Sequence, residues 1–170
     1  HNNNFYRKYA SQPLNVFTEF TKEQMLFGCT YGLCILDNEG GETRTLVSRI
    51  LVNDILVHED IIWIATSGNG LIRFNPNDES IEKFTTENGL PSNFTNSIEY
   101  SDGYIWMGTE SGLCRFDPIN KTTITYSSIQ ALSNFSFNRN AHFKLKNGNL
   151  AWGTNNGVVI FNPKVIRQDH

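Results

Sequence analysis

One pattern occurs four times along the 170 residues, and it confines the chain to repeat architectures. The copies are LFGCTYGLCILDN (Leu26 to Asn38), IWIATSGNGLIRFNP (Ile62 to Pro76), IWMGTESGLCRFDP (Ile105 to Pro118) and LAWGTNNGVVIFNP (Leu150 to Pro163). They align on Gly32, Gly70, Gly112 and Gly157. Four residues beyond each anchor stands Leu36, Phe74, Phe116 or Phe161, and five beyond stands Asp37, Asn75, Asp117 or Asn162. Six beyond, three copies have Pro76, Pro118 and Pro163, and the first has Asn38. A threonine precedes each anchor (Thr30, Thr66, Thr109, Thr154), at spacings of 36, 43 and 45 residues.

Helical and β solenoids share such a period, so the content of each repeat has to decide between them. Runs such as IWIAT and YIWMGT have strand length; a glycine follows, then LIRF or LCRF, in which Arg73 and Arg115 sit between apolar neighbours. Proline after Asn75 or Asp117 ends that run, because it lacks the ladder donor and disfavours helical geometry in the residue before it. SIEKFTT and TTITYSS alternate as strands do, and FTNSIEYSDG supplies a further strand with an Asp102-Gly103 turn. Each repeat therefore holds four strands, and no segment sustains a helical period. Four-stranded units of this length are propeller blades, and stacked blades bury both faces of each sheet. The expected class is all-β: a β-propeller of about four four-stranded blades, a part of a larger propeller. The expected blades are 14–47, 50–86, 93–127 and 137–165, with 5–9 as an orphan outer strand, in a single 1–170 unit. Trp63 and Trp106 are expected to pack between blades. Trp152 stands two residues before its threonine rather than three, which predicts a ring turned to the other sheet face.

The 12 Phe, 6 Tyr and 3 Trp suit strands, and 21 Asn, many beside Gly, Pro or Asp, suit turns. Net charge is −3, and no Lys/Arg run exceeds Arg7-Lys8, so the concentrated basic face that nucleic acid or an anionic membrane demands is missing. Apolar stretches such as Ile61 to Thr66 are far short of the ~20 residues of a membrane span, and no signal-peptide pattern opens the chain, so any export signal or anchor is expected outside these residues. Cys29, Cys34 and Cys114 have no zinc spacing and read as small core side chains, although a Cys29–Cys34 bridge is conceivable.

Catalytic constellations do not emerge. Glu59-Asp60 and Asp78-Glu79 read as solvated turns, and consecutive His58-Glu59-Asp60 is a poor metal site. Gly68-Asn69-Gly70 lacks the Lys-Ser/Thr and the helix of a phosphate loop, and no serine occupies a G-x-S-x-G turn. The sequons at Asn93, Asn120 and Asn134 read as accidents of an Asn-rich chain. No cofactor or metal is implied, and the segment reads as non-enzymatic.

DGYIWMGTESGLCRFDP resembles the two-component-regulator propeller repeat, and NGLPSNFTNSI before it is similar to the segment that usually precedes such a repeat. NFSFNRNAHFKLKNGNLAWGTNNGVVIFNP resembles the last repeat of these propellers. The likeness covers Ile50 to Pro163 and is weaker over the first 45 residues, which lack the Trp and the proline. It implies a periplasmic sensor region of a hybrid two-component histidine kinase, whose usual signal is an oligosaccharide and whose output is glycan utilisation. Kinase, receiver and DNA-binding parts are not in these residues, so contact with the membrane is expected only through other parts of a parent protein. The competing readings are a protein-docking propeller without a small ligand and, less supported, a propeller lyase.

Propeller ligands usually meet the loops linking one blade's outer strand to the next blade's inner strand. The expected site residues are therefore Arg49, Asn53, Asn93, Phe94, Asn96, Asn138, Arg139 and Asn140, with Phe135 and Phe137 as further stacking candidates. Their amides and guanidinium groups suit sugar hydroxyls, and the aromatic faces suit a pyranose; the alternative is that the Phe plug blade interfaces and the Asn cap turns. Length adds a difficulty. Four blades are few for a propeller, so the ring closes on itself, closes as a homodimer, or stays an open arc with apolar end faces. Self-association is the expected outcome.

Overall fold

The structure is a computed structural model that describes residues 14–29, 31–37, 41–126 and 136–166. Four antiparallel sheets stand around a common axis as the blades of a propeller. The first comprises β1 (Leu14–Thr21), β2 (Gln24–Cys29), β3 (Gly32–Asp37) and β4 (Thr43–Ser48). The second comprises β5 (Val52–His58), β6 (Ile61–Thr66), β7 (Leu71–Asn75) and β8 (Ser80–Phe84), and the third β9 (Thr95–Ser101), β10 (Tyr104–Thr109), β11 (Gly112–Asp117) and β12 (Thr122–Thr125). The last holds three strands among the described residues: β13 (Phe137–Lys144), β14 (Leu150–Thr154) and β15 (Gly157–Phe161). The expected orphan strand at 5–9 lies outside the described residues.

The anchor glycines make the hairpin between second and third strands. Gly70 has φ 69°, and a Cβ there would lie 2.0 Å from the carbonyl oxygen of Phe84, so only glycine fits. The threonine ahead of each anchor closes the turn: the hydroxyls of Thr66, Thr109 and Thr154 donate to the carbonyls of Gly70, Gly112 and Gly157 at 2.7, 2.7 and 3.0 Å. In the first blade Thr30 lies outside the described residues. Cys29 pairs with Gly32 as Thr109 pairs with Gly112, and its thiol reaches the Gly32 carbonyl at 3.5 Å. All three cysteines are free and buried, so the conceivable Cys29–Cys34 bridge is not formed.

Three apolar layers lie between consecutive blades. Leu26, Leu33 and Val47 meet Ile62, Ile64 and Phe74; Trp63, Leu71 and Phe84 meet Ile98, Met107 and Phe116; Trp106, Leu113 and Tyr126 meet Phe137, Leu150 and Trp152. Trp63 and Trp106 thus face forward to the following blade, whereas Trp152 faces back, as its one-residue displacement predicts. Its indole donates to Ser97 Oγ at 2.6 Å in the blade before. Arg115 covers Trp106 and Tyr104, its Cζ 5.9 and 4.3 Å from the ring centroids, which accounts for a charged residue among apolar neighbours.

A two-residue joint recurs where inner strands meet. The first residue of an inner strand inserts against a small residue on the second strand of the blade before: a Cβ on Gly28 would meet Val52 at 2.6 Å, and one on Gly108 would meet Phe137 at 2.7 Å. Thr95, at the same position, hydrogen-bonds the amide of Thr66 and the carbonyl of Gly70. The next residue is always asparagine, and its amide reaches forward. Asn15 donates to the Val52 carbonyl at 3.3 Å, Asn53 to that of Thr95 at 2.8 Å and Asn96 to that of Phe137 at 2.8 Å. Gly108→Val should therefore lower the unfolding free energy by about 1–3 kcal/mol through overpacking against Phe137 and Ser97, and an unchanged urea midpoint would count against the joint.

Candidate functional site

The eight expected ligand residues all lie at the end of the propeller where inner strands begin, but they divide by what their side chains already do. Asn53 and Asn96 are buried and occupied in the joints. Asn53 also donates to Ser67 Oγ at 3.0 Å. Asn93 holds the segment before β9: its side-chain oxygen accepts from the Thr86 amide at 2.8 Å, and its carbonyl accepts from the amides of Gly68 and Gly70. Arg49, Phe94, Asn138, Arg139 and Asn140 are exposed. Phe94 is presented by a bridge to Ser67, and Arg49 and Asn140 adopt positive φ of 62° and 48°. Phe137 is buried as an interblade plug, and Phe135 lies outside the described residues.

Sequence reasoning missed the charged cluster beneath these loops. Asp54 on β5, Glu99 on β9 and His142 on β13 come from three blades and meet at the axis. His142 Nε2 lies 2.8 Å from Asp54 Oδ2, and Nδ1 lies 3.2 Å from Glu99 Oε2. Asp54 is buried and also accepts from two amides, its own neighbour Ile55 at 2.9 Å and Ile98 of the next blade at 2.8 Å. Burial alone would lower the His142 pKa; the hydrogen bonds to Asp54 and Glu99, and the charges of both, outweigh it and raise the value to about 9. The imidazolium is the cation that two inward carboxylates require. A displacement in β13 makes the contact possible, since Phe137 pairs with Thr154 but His142 already pairs with Trp152. Among the described residues, no group of three or more His, Cys, Asp or Glu has the arrangement of a metal site.

At the opposite end a cleft of about 270 Å³ separates the second and third blades, lined by His58, Trp63, Arg73, Tyr100 and Ile119. His58 stacks on Tyr100 with centroids 3.5 Å apart, and Glu59 and Asp60 form the hairpin turn above it with φ of 50° and 61°. The acidic pair is thus turn chemistry, as read from sequence.

Residues 89–111, which run from the turn after the second blade through β10, match the two component regulator propeller family. No curated protein matches the chain. Among solved structures, the extracellular domain of a protein assigned as the hybrid two component system BT3049 from B. thetaiotaomicron superposes with a TM-score of 0.72 at 25% identity, over 87% of this chain and 21% of that one. The extracellular domain of BT4673 from the same organism, assigned as a one component system, gives 0.67 at 18% identity, over 92% of this chain and 27% of that one. The chain spans about a fifth to a quarter of those domains. The computationally designed Ika4 protein gives 0.63 at 11% identity, over 90% of this chain and 92% of that one. At 18% and 11% identity the likeness concerns the fold alone.

Because the His142 pKa rises from 6.5 unfolded to about 9 folded, the native state holds its proton more tightly. The resulting stabilisation is complete below 6.5 and is lost as pH climbs through about 9. Urea midpoints of the wild type should fall across that window, and His142→Gln should flatten the dependence; equal slopes in the two proteins would contradict the cluster.

Proposed function

We propose, for a chain that carries a two component regulator propeller repeat, that it forms part of the extracytoplasmic sensing region of a hybrid two-component sensor histidine kinase and that its signal is an oligosaccharide. The observation that carries this reading is the match at residues 89–111, because that segment includes Asn93 and Phe94 of the loop end. The shared fold with the extracellular domain of BT3049 supports the same assignment.

Recognition rests on the loop-end side chains that the fold leaves unoccupied. Phe94 offers an aromatic face, Arg139 a planar five-donor fork, and Asn140 a donor and an acceptor at one site. Such a set suits neutral vicinal hydroxyls, where stacking supplies apolar contact and the polar groups fix orientation. Asn53, Asn93 and Asn96 support this surface from below and do not touch the ligand. The chain's own chemistry ends at binding: transmission and phosphoryl transfer belong to other parts of the parent protein, and no step of catalysis is assigned to these residues.

Calorimetry with a panel of oligosaccharides tests the ligand class. Arg139→Ala/Asn140→Ala in the intact sensor should abolish the response while leaving the fold intact, and His58→Ala, at the far cleft, should leave the response unchanged. A full dose response in the double variant, or its loss in His58→Ala alone, would move the site away from the loop end.

A further inference from the structure

The loop end repeats in its backbone but not in its side chains, and the difference falls on the third blade. In the second, third and fourth blades the residue before the inner strand offers its carbonyl to the amide that follows the hairpin threonine. Leu51 accepts from Ser67 at 2.9 Å, Phe94 from Glu110 at 3.2 Å and Ser136 from Asn155 at 3.0 Å. This bond asks nothing of either side chain. In the second and fourth blades the fold nevertheless takes up the side chain at the hairpin tip. Ser67 Oγ donates to Asn53 Oδ1 at 3.1 Å, and Asn155 Oδ1 accepts from the Ser136 amide at 3.1 Å. Glu110 is exposed, and among the described residues its carboxylate has no hydrogen bond or ion pair.

Phe94 departs from the repeat in the same blade. Leu51 and Ser136 at its position show that the fold does not demand an aromatic ring there, yet this ring is 41% exposed. Its backbone is held on both sides. The Phe94 amide donates to Ser92 Oγ at 3.0 Å, its carbonyl takes the Glu110 amide, and the carbonyl of Asn93 takes the amides of Gly68 and Gly70. Gly68, at φ 95°, leaves room for the ring, whose tip lies 3.9 Å from where a Cβ would stand. The platform is therefore preorganised, and binding need not order it. The backbone bond to Phe94 puts Glu110 within a side chain's length of that platform. Both residues belong to the third blade, which packs against a neighbour on either face.

We infer that Glu110 is a specificity-determining contact of the loop-end site: its carboxylate accepts from two adjacent hydroxyls of the sugar unit that stacks on Phe94. The inference rests on the oligosaccharide reading and narrows it. Arg139 can only donate and Asn140 offers one acceptor oxygen, so the hydroxyl protons of a sugar need a further acceptor. An acceptor-only group with two oxygens matches a vicinal diol. The unit on Phe94 is accordingly a neutral one whose adjacent hydroxyls are free. An etherified hydroxyl has no proton to give, and a sulfate at that place would meet Glu110 as a like charge.

Calorimetry with neutral tetrasaccharides built from glucose, mannose, galactose or xylose, each also in O-methylated form, tests this on the whole chain. The wild type should bind at least one unmodified member, and Glu110→Ala should weaken that binding about tenfold or more with unchanged circular dichroism and thermal midpoint. O-methylation should cost the wild type more than it costs Glu110→Ala, because the variant has no such bond left to lose. Glu87→Gln, which removes a second exposed carboxylate at the loop end, should bind as the wild type does. Undiminished binding by Glu110→Ala, or an equal methylation penalty in both proteins, overturns the inference and leaves the oligosaccharide reading standing. Equal weakening by Glu87→Gln also overturns it, since a general field and not a contact would then be acting. A wild type that binds no unmodified member overturns the oligosaccharide reading and the inference with it.

Discussion

Everything in this propeller depends on how one inner strand holds the next. Each joint combines an apolar or hydroxyl side chain seated against a glycine or alanine with an asparagine amide, buried at Asn53 and Asn96, that donates across to the seated residue's own carbonyl. The two parts are mutually dependent. Seating Val52 or Phe137 requires that no Cβ stand at Gly28 or Gly108, and burying Asn53 or Asn96 is tolerable only because each amide finds its acceptor; an orphaned buried amide costs about 1–3 kcal/mol. Stability of the array is then close to a sum of blade terms and nearest-neighbour joints, which is how stacked repeats behave. The exposed ion pair Arg44–Glu79 between blades contributes little beside these.

The His142 cluster adds what nearest-neighbour joints cannot. Because Asp54, Glu99 and His142 belong to the second, third and fourth blades, their contacts fix the angle among three blades and not only between two. The cluster also lies directly below Arg139 and Asn140 in β13, so the displacement that brings His142 inward is the one that leaves those two side chains at the loop end. The exposed Arg139 and Asn140 and the buried imidazole of His142 are therefore products of the same irregular strand.

Much of the fold was legible because each hairpin has its own local chemistry. Gly70 with its positive φ, Thr66 bonded across the turn, and Pro76 ending the third strand are all signals within a dozen residues of one another. Trp152 was legible for the same reason, since strand alternation converts a one-residue shift into a change of face. The joints were harder. Asn53, Asn96 and Asn138 read equally well as turn caps or sugar ligands in a chain with 21 asparagines, and only their spacing marks them as one series. In the first blade a cysteine, Cys29, pairs with the anchor glycine, and an alignment on threonines does not point to it. His142 was invisible, for its partners lie far along the chain and the β13 displacement has no local sequence signature.

Native-state hydrogen exchange of Asn53→Ala tests the central claim most directly, because it reads the joint between two blades separately from the sheets on either side. The account predicts faster exchange at the amides of β5, β6 and β9 around Val52, Thr66 and Ile98, with β7, β8 and the last blade retaining wild-type protection. Uniform loss of protection across all blades, or none at the joint, would contradict it.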